Sequence, residues 1–152
     1  MTDSAAPAGP NPLLGTWKLR SFVHVRDGGE RSDRYGEHPH GYISYAADGR
    51  MSAIGTADGR KAPASAPPSD AEQVYLQQTM FAYAGTYAVD GNTVTHRVDI
   101  SWNQSFTGTE QVRLYELAGD LLTITSANRF ADADGHEGHL VAVWERVAVP
   151  AR

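Results

Sequence analysis

From Asn92 to Phe130 the chain reads NTVTHRVDISWNQSFTGTEQVRLYELAGDLLTITSANRF, and apolar and polar side chains alternate along most of it. Side chains on a β-strand point to opposite faces in turn, so a period of two marks strands with one buried face. The stretch predicts three consecutive strands, 92–103, 109–118 and 121–130. On the first, Val94, His96, Val98, Ile100 and Trp102 share a face, and Thr95, Arg97, Asp99 and Ser101 share the other. The imidazole therefore sits on the apolar side. Upstream, GTYAV at 85–89 and the Asp90-Gly91-Asn92 turn complete a hairpin. With Asp90 and Gly91 as its two-residue loop, Tyr87 stands opposite Val94 and Gly85 opposite His96, where a glycine leaves room above the ring. Downstream, a turn at Gly119-Asp120 aligns Gln111, Arg113, Tyr115 and Leu117 with Leu122, Ile124, Ser126 and Asn128 on one face. A slip of one residue would reverse every one of these assignments.

The rest of the chain supplies five more strands. GTWKLRSFVHVR (15–26) places Trp17, Leu19, Ser21, Val23 and Val25 on one face, with Phe22 and His24 on the other. A polar loop, 27–40, leads to GYISYAA (41–47), a turn at Asp48-Gly49, and RMSAIGTA (50–57). A Pro/Ala/Gly linker follows, 58–68. Ser69 and Glu72 fit a capping box at the start of a helix, DAEQVYLQQTMFAYA, with Leu76, Met80 and Tyr83 at helical spacing. The next strand is 84–90, and the last is HLVAVWERV, 139–147. There is no βαβ alternation. Eight strands joined mostly by short turns predict an all-β fold, an antiparallel up-and-down barrel closed on itself, with one helix between the third and fourth strands. The domain spans 13–149, and the Pro-rich, polar residues 1–12 read as a disordered tail.

Composition removes several function classes. There is no cysteine, so disulfides, thiolate metal sites and cysteine nucleophiles are excluded. A net charge of −5 without a basic cluster argues against nucleic acid as a partner. No apolar run approaches the ~20 residues that a membrane helix needs, and residues 1–12 lack the pattern of a secretory signal. The reading is a soluble cytoplasmic protein. G-x-S-x-G, P-loop and dinucleotide-binding motifs are absent, so no cofactor is expected. Asp132, Asp134, His136 and His139 superficially suggest a metal loop. They lack the further acidic ligands of a calcium site and are too few for zinc, so the segment reads as a solvated turn, as does His38-Pro39-His40.

Gly15-Thr16-Trp17 at the start of the first strand resembles the G-x-W signature of lipocalins, and Arg146 matches the arginine that lies over that indole. More specifically, LLGTWKLRSF (13–22), GYISYAADGRMSA (41–53), FAYAGTYAV (81–89), VTHRVDISWN (94–103), GTEQVRLYEL (108–117), DLLTI (120–124) and VWERV (143–147) resemble the bacterial and fungal lipocalin-like domain family. Asn103-Gln104-Ser105-Phe106 departs from the Asn-Pro-x-Trp-like turn expected there. The resemblance implies a calycin-type barrel around an apolar pocket that holds a small hydrophobic molecule. By family-level analogy it also suggests a cofactor-independent cyclase or isomerase acting on a polyketide-like intermediate, pericyclic closure included, with a non-catalytic carrier or sensor as the alternative.

Within such a pocket His96, Arg113 and Tyr87 are the candidate catalytic residues: a proton carrier near neutrality, a planar cationic donor, and a hydroxyl. Tyr42, Tyr45, Met51, Trp102, Gln111, Tyr115, Ser126 and Trp144 are the candidate substrate-binding residues, since pockets combine apolar and aromatic walls with a few polar groups. The competing reading is a buried network in which His96, Gln111 and Arg113 satisfy one another. Phe22, on the outward face of the first strand, points to a homodimer through that face.

Overall fold

The computed structural model describes residues 11–148. The elements are β1 Gly15–Arg26, β2 Arg31–Asp33, β3 His40–Tyr45, β4 Arg50–Thr56, α1 Asp70–Gln78, β5 Met80–Asp90, β6 Thr93–Ser101, β7 Glu110–Ala118, β8 Leu121–Ser126, β9 Phe130–Ala131 and β10 Glu137–Arg146. Eight of the strands run antiparallel in chain order, and β10 pairs with β1 to close the barrel. The short strands β2 and β9 pair with β1 and β10 respectively. Closure leaves no open edge in the main sheet.

The connections differ at the two ends. β3–β4, β5–β6 and β7–β8 are joined by tight turns around Gly49, Gly91 and Gly119, all at the end where β1 begins. The longer connections, 27–39, 57–79, 102–109 and 127–136, all lie at the other end. The tight end is plugged. Trp17 is fully buried, and its indole N–H donates to the Leu13 carbonyl at 3.0 Å. The Arg146 guanidinium lies 4.1 Å from the centre of the Trp17 ring, as the resemblance implies. It also donates to the Leu14 carbonyl at 2.9 Å. The expected tail falls outside the described residues as far as residue 10. Asn11 and Pro12, at its end, bond to this plug through Tyr87 and Arg146.

Alternation held on β7 and β8, where Arg113 pairs with Ser126, Tyr115 with Ile124 and Leu117 with Leu122. It broke at two β-bulges. On β1, Leu19 pairs with Trp144 but Ser21 with Val143, so Arg20 is an extra residue. An inserted residue reverses every face beyond it. Phe22 and His24 therefore turn into the barrel, and Phe22 gives no support to an outer-face dimer. On β6 the extra residue is Asp99, which leaves Ile100 64% exposed instead of buried. The β5–β6 hairpin also differs from expectation. Tyr87 pairs with His96 and Gly85 with Val98, a shift of two that keeps the faces. Gly85 sits at the bulge, where a Cβ would overlap the Arg97 carbonyl, so its role is close strand approach and not room above His96.

The helix is shorter than its apolar spacing predicts. The Ser69/Glu72 capping box forms, but α1 ends at Gln78 and buries none of its residues. Met80–Tyr83 open β5 instead. Phe81 and Tyr83 alternate into the barrel, and burying them there outweighs the helical register. Among the described residues no helix is long and apolar enough to cross a membrane.

Candidate functional site

The long-loop half of the barrel is hollow. It encloses a cavity of about 340 Å³, at the lower end of the range of about 300–1,000 Å³ typical of ligand sites. Two aromatic clusters form its upper wall. Phe22, Tyr35 and Phe81 pack with ring centres 5.2–5.5 Å apart. Tyr83, Phe106 and Trp102 form the second cluster, at 5.3 and 5.8 Å. Deeper in stand Ile43, Ala53, Ile124, Ala142 and Trp144, with Arg113, His96 and Ser126 as the polar residues.

His96 is held on both sides. Its Nε2 lies 2.7 Å from the Tyr45 hydroxyl and its Nδ1 lies 3.0 Å from the Tyr83 hydroxyl. Burial, reinforced by the charge of Arg113, lowers its pKa from 6.5 to about 3. The imidazole is thus neutral at physiological pH, a hydrogen-bonding link and not a titrating acid. Burial also raises the hydroxyl pKa values of Tyr45 and Tyr83, so both tyrosines keep their protons. The lowered His96 pKa carries a stability prediction. The unfolded chain takes up a proton below pH 6.5 that the folded chain refuses until about pH 3, so this residue's contribution is complete above pH 6.5 and falls as the pH drops. From about pH 7.5 to about pH 5 it costs roughly 2 kcal/mol. Urea unfolding at the two pH values should show that difference, and His96→Gln should remove most of it.

Arg113 is 9% exposed and lines the cavity. Its side-chain hydrogen bond goes to the Val112 carbonyl, at 3.3 Å. Among the described residues it enters no ion pair. The competing reading, a network in which His96, Gln111 and Arg113 satisfy one another, does not form as such. Gln111 stands opposite His96 on the neighbouring strand but donates to Thr109 Oγ1 at 2.8 Å.

The remaining candidates divide. Trp144, Ser126 and Trp102 line the cavity, although Trp102 reaches it from beyond the end of β6 and not from the His96 face. Tyr45 is buried behind His96, and Met51 is core. Tyr87 lies toward the plugged end, its hydroxyl donating to the Ala46 carbonyl at 2.8 Å and accepting from Asn11 at 2.6 Å. The Tyr115 hydroxyl donates to the Gly91 carbonyl at the same end. Tyr42 is 48% exposed on the outer surface. It and Tyr45 are three apart on one strand, which places them on opposite faces.

Residues 14–147 match the family described as the lipocalin-like domain. The chain belongs to the lipocalin-like domain family. No curated protein matches it. An eight-stranded barrel is just wide enough to hold one small ligand, and the interior hollow beyond the Trp/Arg plug is consistent with that use. Cavity aromatics outside the sequence-predicted site residues include Tyr83, whose spacing is helical, Tyr35 and Phe106, which sit singly in polar loops, and Phe130, which forms the short strand β9 beyond the end of β8. The Asp132–His136 loop holds three ligand-type side chains close together, but Asp132 already accepts from Arg26 and from the backbone N–H groups of Asp134 and His136, which is turn chemistry.

Proposed function

We propose that this lipocalin-like domain takes a small, mostly apolar molecule bearing a carbonyl oxygen into its barrel and cyclises or isomerises it without a cofactor, a polyketide-like chain being the substrate class. The observation that carries the proposal is the pairing of an enclosed aromatic cavity with two hydrogen-bond donors in its wall, Arg113 and Tyr83. Confinement in about 340 Å³ selects folded conformers of a flexible chain and supplies the entropic part of the acceleration. Donors already oriented toward a carbonyl oxygen stabilise charge that builds there as bonds reorganise. A step needing a proton would draw it from Tyr83, not from His96, whose two nitrogens are engaged.

A second reading, a passive carrier, is favoured by one specific feature. With His96 neutral and bonded on both sides, no carboxylate or free imidazole lines the cavity to remove a proton from a ligand. The two readings separate when purified protein is incubated with small-molecule extract of its source and followed by liquid chromatography and mass spectrometry. A cyclase or isomerase yields a compound of unchanged mass and new retention time, and Arg113→Met slows its formation. A carrier returns its ligand unaltered, an outcome that contradicts the catalytic proposal.

A further inference from the structure

We infer that the cavity takes its ligand as an anion, with an ionised carboxylate or enolate oxygen held between the Arg113 guanidinium and the Tyr83 hydroxyl. This rests on the reading that the barrel interior is the ligand site. Arg113 is nine-tenths buried, its hydrogen bond to the Val112 carbonyl is long, and its guanidinium stands close to the Tyr83 hydroxyl. A second cation, Arg34, stands among the lining residues, and no Asp or Glu does. Burying a cation without a counter-charge is costly, and a protein keeps such an arrangement where something else supplies the charge. A neutral carbonyl would accept a hydrogen bond from Arg113 but leave the charge uncompensated.

The hydrogen-bond chain through His96 fixes the direction of the Tyr83 proton. A neutral imidazole has one N–H and one bare nitrogen, so it donates to one tyrosine and accepts from the other. If Nε2–H donated to Tyr45, the Tyr45 proton would be left without an acceptor in a fully buried position. Its hydroxyl has no other partner among the described residues. An unmet buried donor is the more expensive choice. Tyr45 therefore donates to Nε2, Nδ1–H donates to the Tyr83 oxygen, and the Tyr83 proton is left over. Tyr83 lines the cavity, so that proton is available to a ligand there. His96 and Tyr45 act as positioning residues that fix which way Tyr83 donates.

The other polar groups of the wall agree. The buried indole N–H of Trp144 has no partner, which adds a donor. Two of the side-chain acceptors there are in use: Ser126 Oγ accepts from the Leu140 N–H, and Asn103 Oδ1 accepts from Ser105. Unspent donors beside a buried cation are the chemistry of an oxyanion seat.

The test uses four compact probes in titration calorimetry at neutral pH: 2-naphthylacetate and its methyl ester, and 4-hydroxycoumarin and its 4-methoxy ether. At least one anion should bind about tenfold or more tightly than its neutral partner. Preference in the first pair identifies a carboxylate seat and preference in the second an enolate seat. Arg113→Met should abolish the preference while keeping the affinity for the neutral probe. Tyr83→Phe, which removes only a hydroxyl, should reduce the preference by about threefold and serves if Arg113→Met fails to fold. Equal binding of anion and neutral partner by the wild-type protein, or preference retained in both variants, overturns the inference. Tighter binding of the neutral probes overturns it but leaves the barrel as a ligand site. Failure of all four probes to bind overturns both.

Discussion

His96→Ala should lower the unfolding free energy by about 3–5 kcal/mol, a large part of the roughly 5–15 kcal/mol available to a domain of this size. Two costs add. Truncating a buried ring leaves a cavity among Val94, Val98 and the surrounding aromatics. It also strips both bonded tyrosines of a partner, and the fully buried Tyr45 hydroxyl is left with none among the described residues. An unmet buried hydroxyl costs about 1–3 kcal/mol by itself. His96→Gln, whose amide can both donate and accept, should recover more than half of the loss. Equilibrium urea unfolding at about pH 7.5 measures both variants. A loss below about 1 kcal/mol for His96→Ala would mean that the tyrosine–histidine–tyrosine chain does not hold the wall together.

Trp17→Ala should cost a comparable amount, about 3–5 kcal/mol, for a different reason. The indole fills the plugged end completely, donates to the Leu13 carbonyl and carries the Arg146 guanidinium on its face. Arg146→Ala should cost only about 1 kcal/mol, because that side chain is partly exposed. A double-mutant cycle between the two should return a coupling of about 0.5–1 kcal/mol. The two truncations differ in function. Trp17 lies at the end away from the cavity, so folded Trp17→Ala should bind 2-naphthylacetate as the wild type does. His96→Ala should not, since the direction of the Tyr83 proton is lost with the imidazole. Equal weakening by both would indicate that the cavity depends on global stability and not on its own wall.

How far the sequence reaches is set by where its regularities break. Arg113 and Ser126 were placed on one inner face because β7 and β8 pair across a tight glycine turn without interruption. Phe22 and Ile100 were misplaced because a bulge adds one residue, and nothing in the local composition marks Arg20 or Asp99 as that residue. Tyr83 was lost because TMFAYA continues the helical spacing of α1, while the decision to leave the helix is made by the barrel wall that Phe81 and Tyr83 join. Tyr35 and Phe106 come from the long connections, where a lone aromatic among polar residues has no periodicity to reveal it, and Phe130 reaches the cavity because β8 stops at Ser126 and the chain turns before β9. The plugged end was legible in Gly15-Thr16-Trp17 and Arg146. The open end, where the cavity lies, was legible only in His96, Arg113, Trp102, Ser126 and Trp144.

If the hollow half of the barrel is where a ligand sits, the three tryptophans report on it directly. Trp102 and Trp144 line the cavity, whereas the Trp17 indole N–H is bonded to Leu13 at the far end. A heteronuclear NMR titration of the protein with 2-naphthylacetate resolves the three indole N–H signals separately. The Trp102 and Trp144 signals should shift in parallel with the backbone amides of Arg113 and Ser126, while the Trp17 signal stays in place. Shifts confined to the outer surface around Tyr42 and Ile54, or a Trp17 signal that moves while Trp102 and Trp144 do not, would contradict that placement of the ligand.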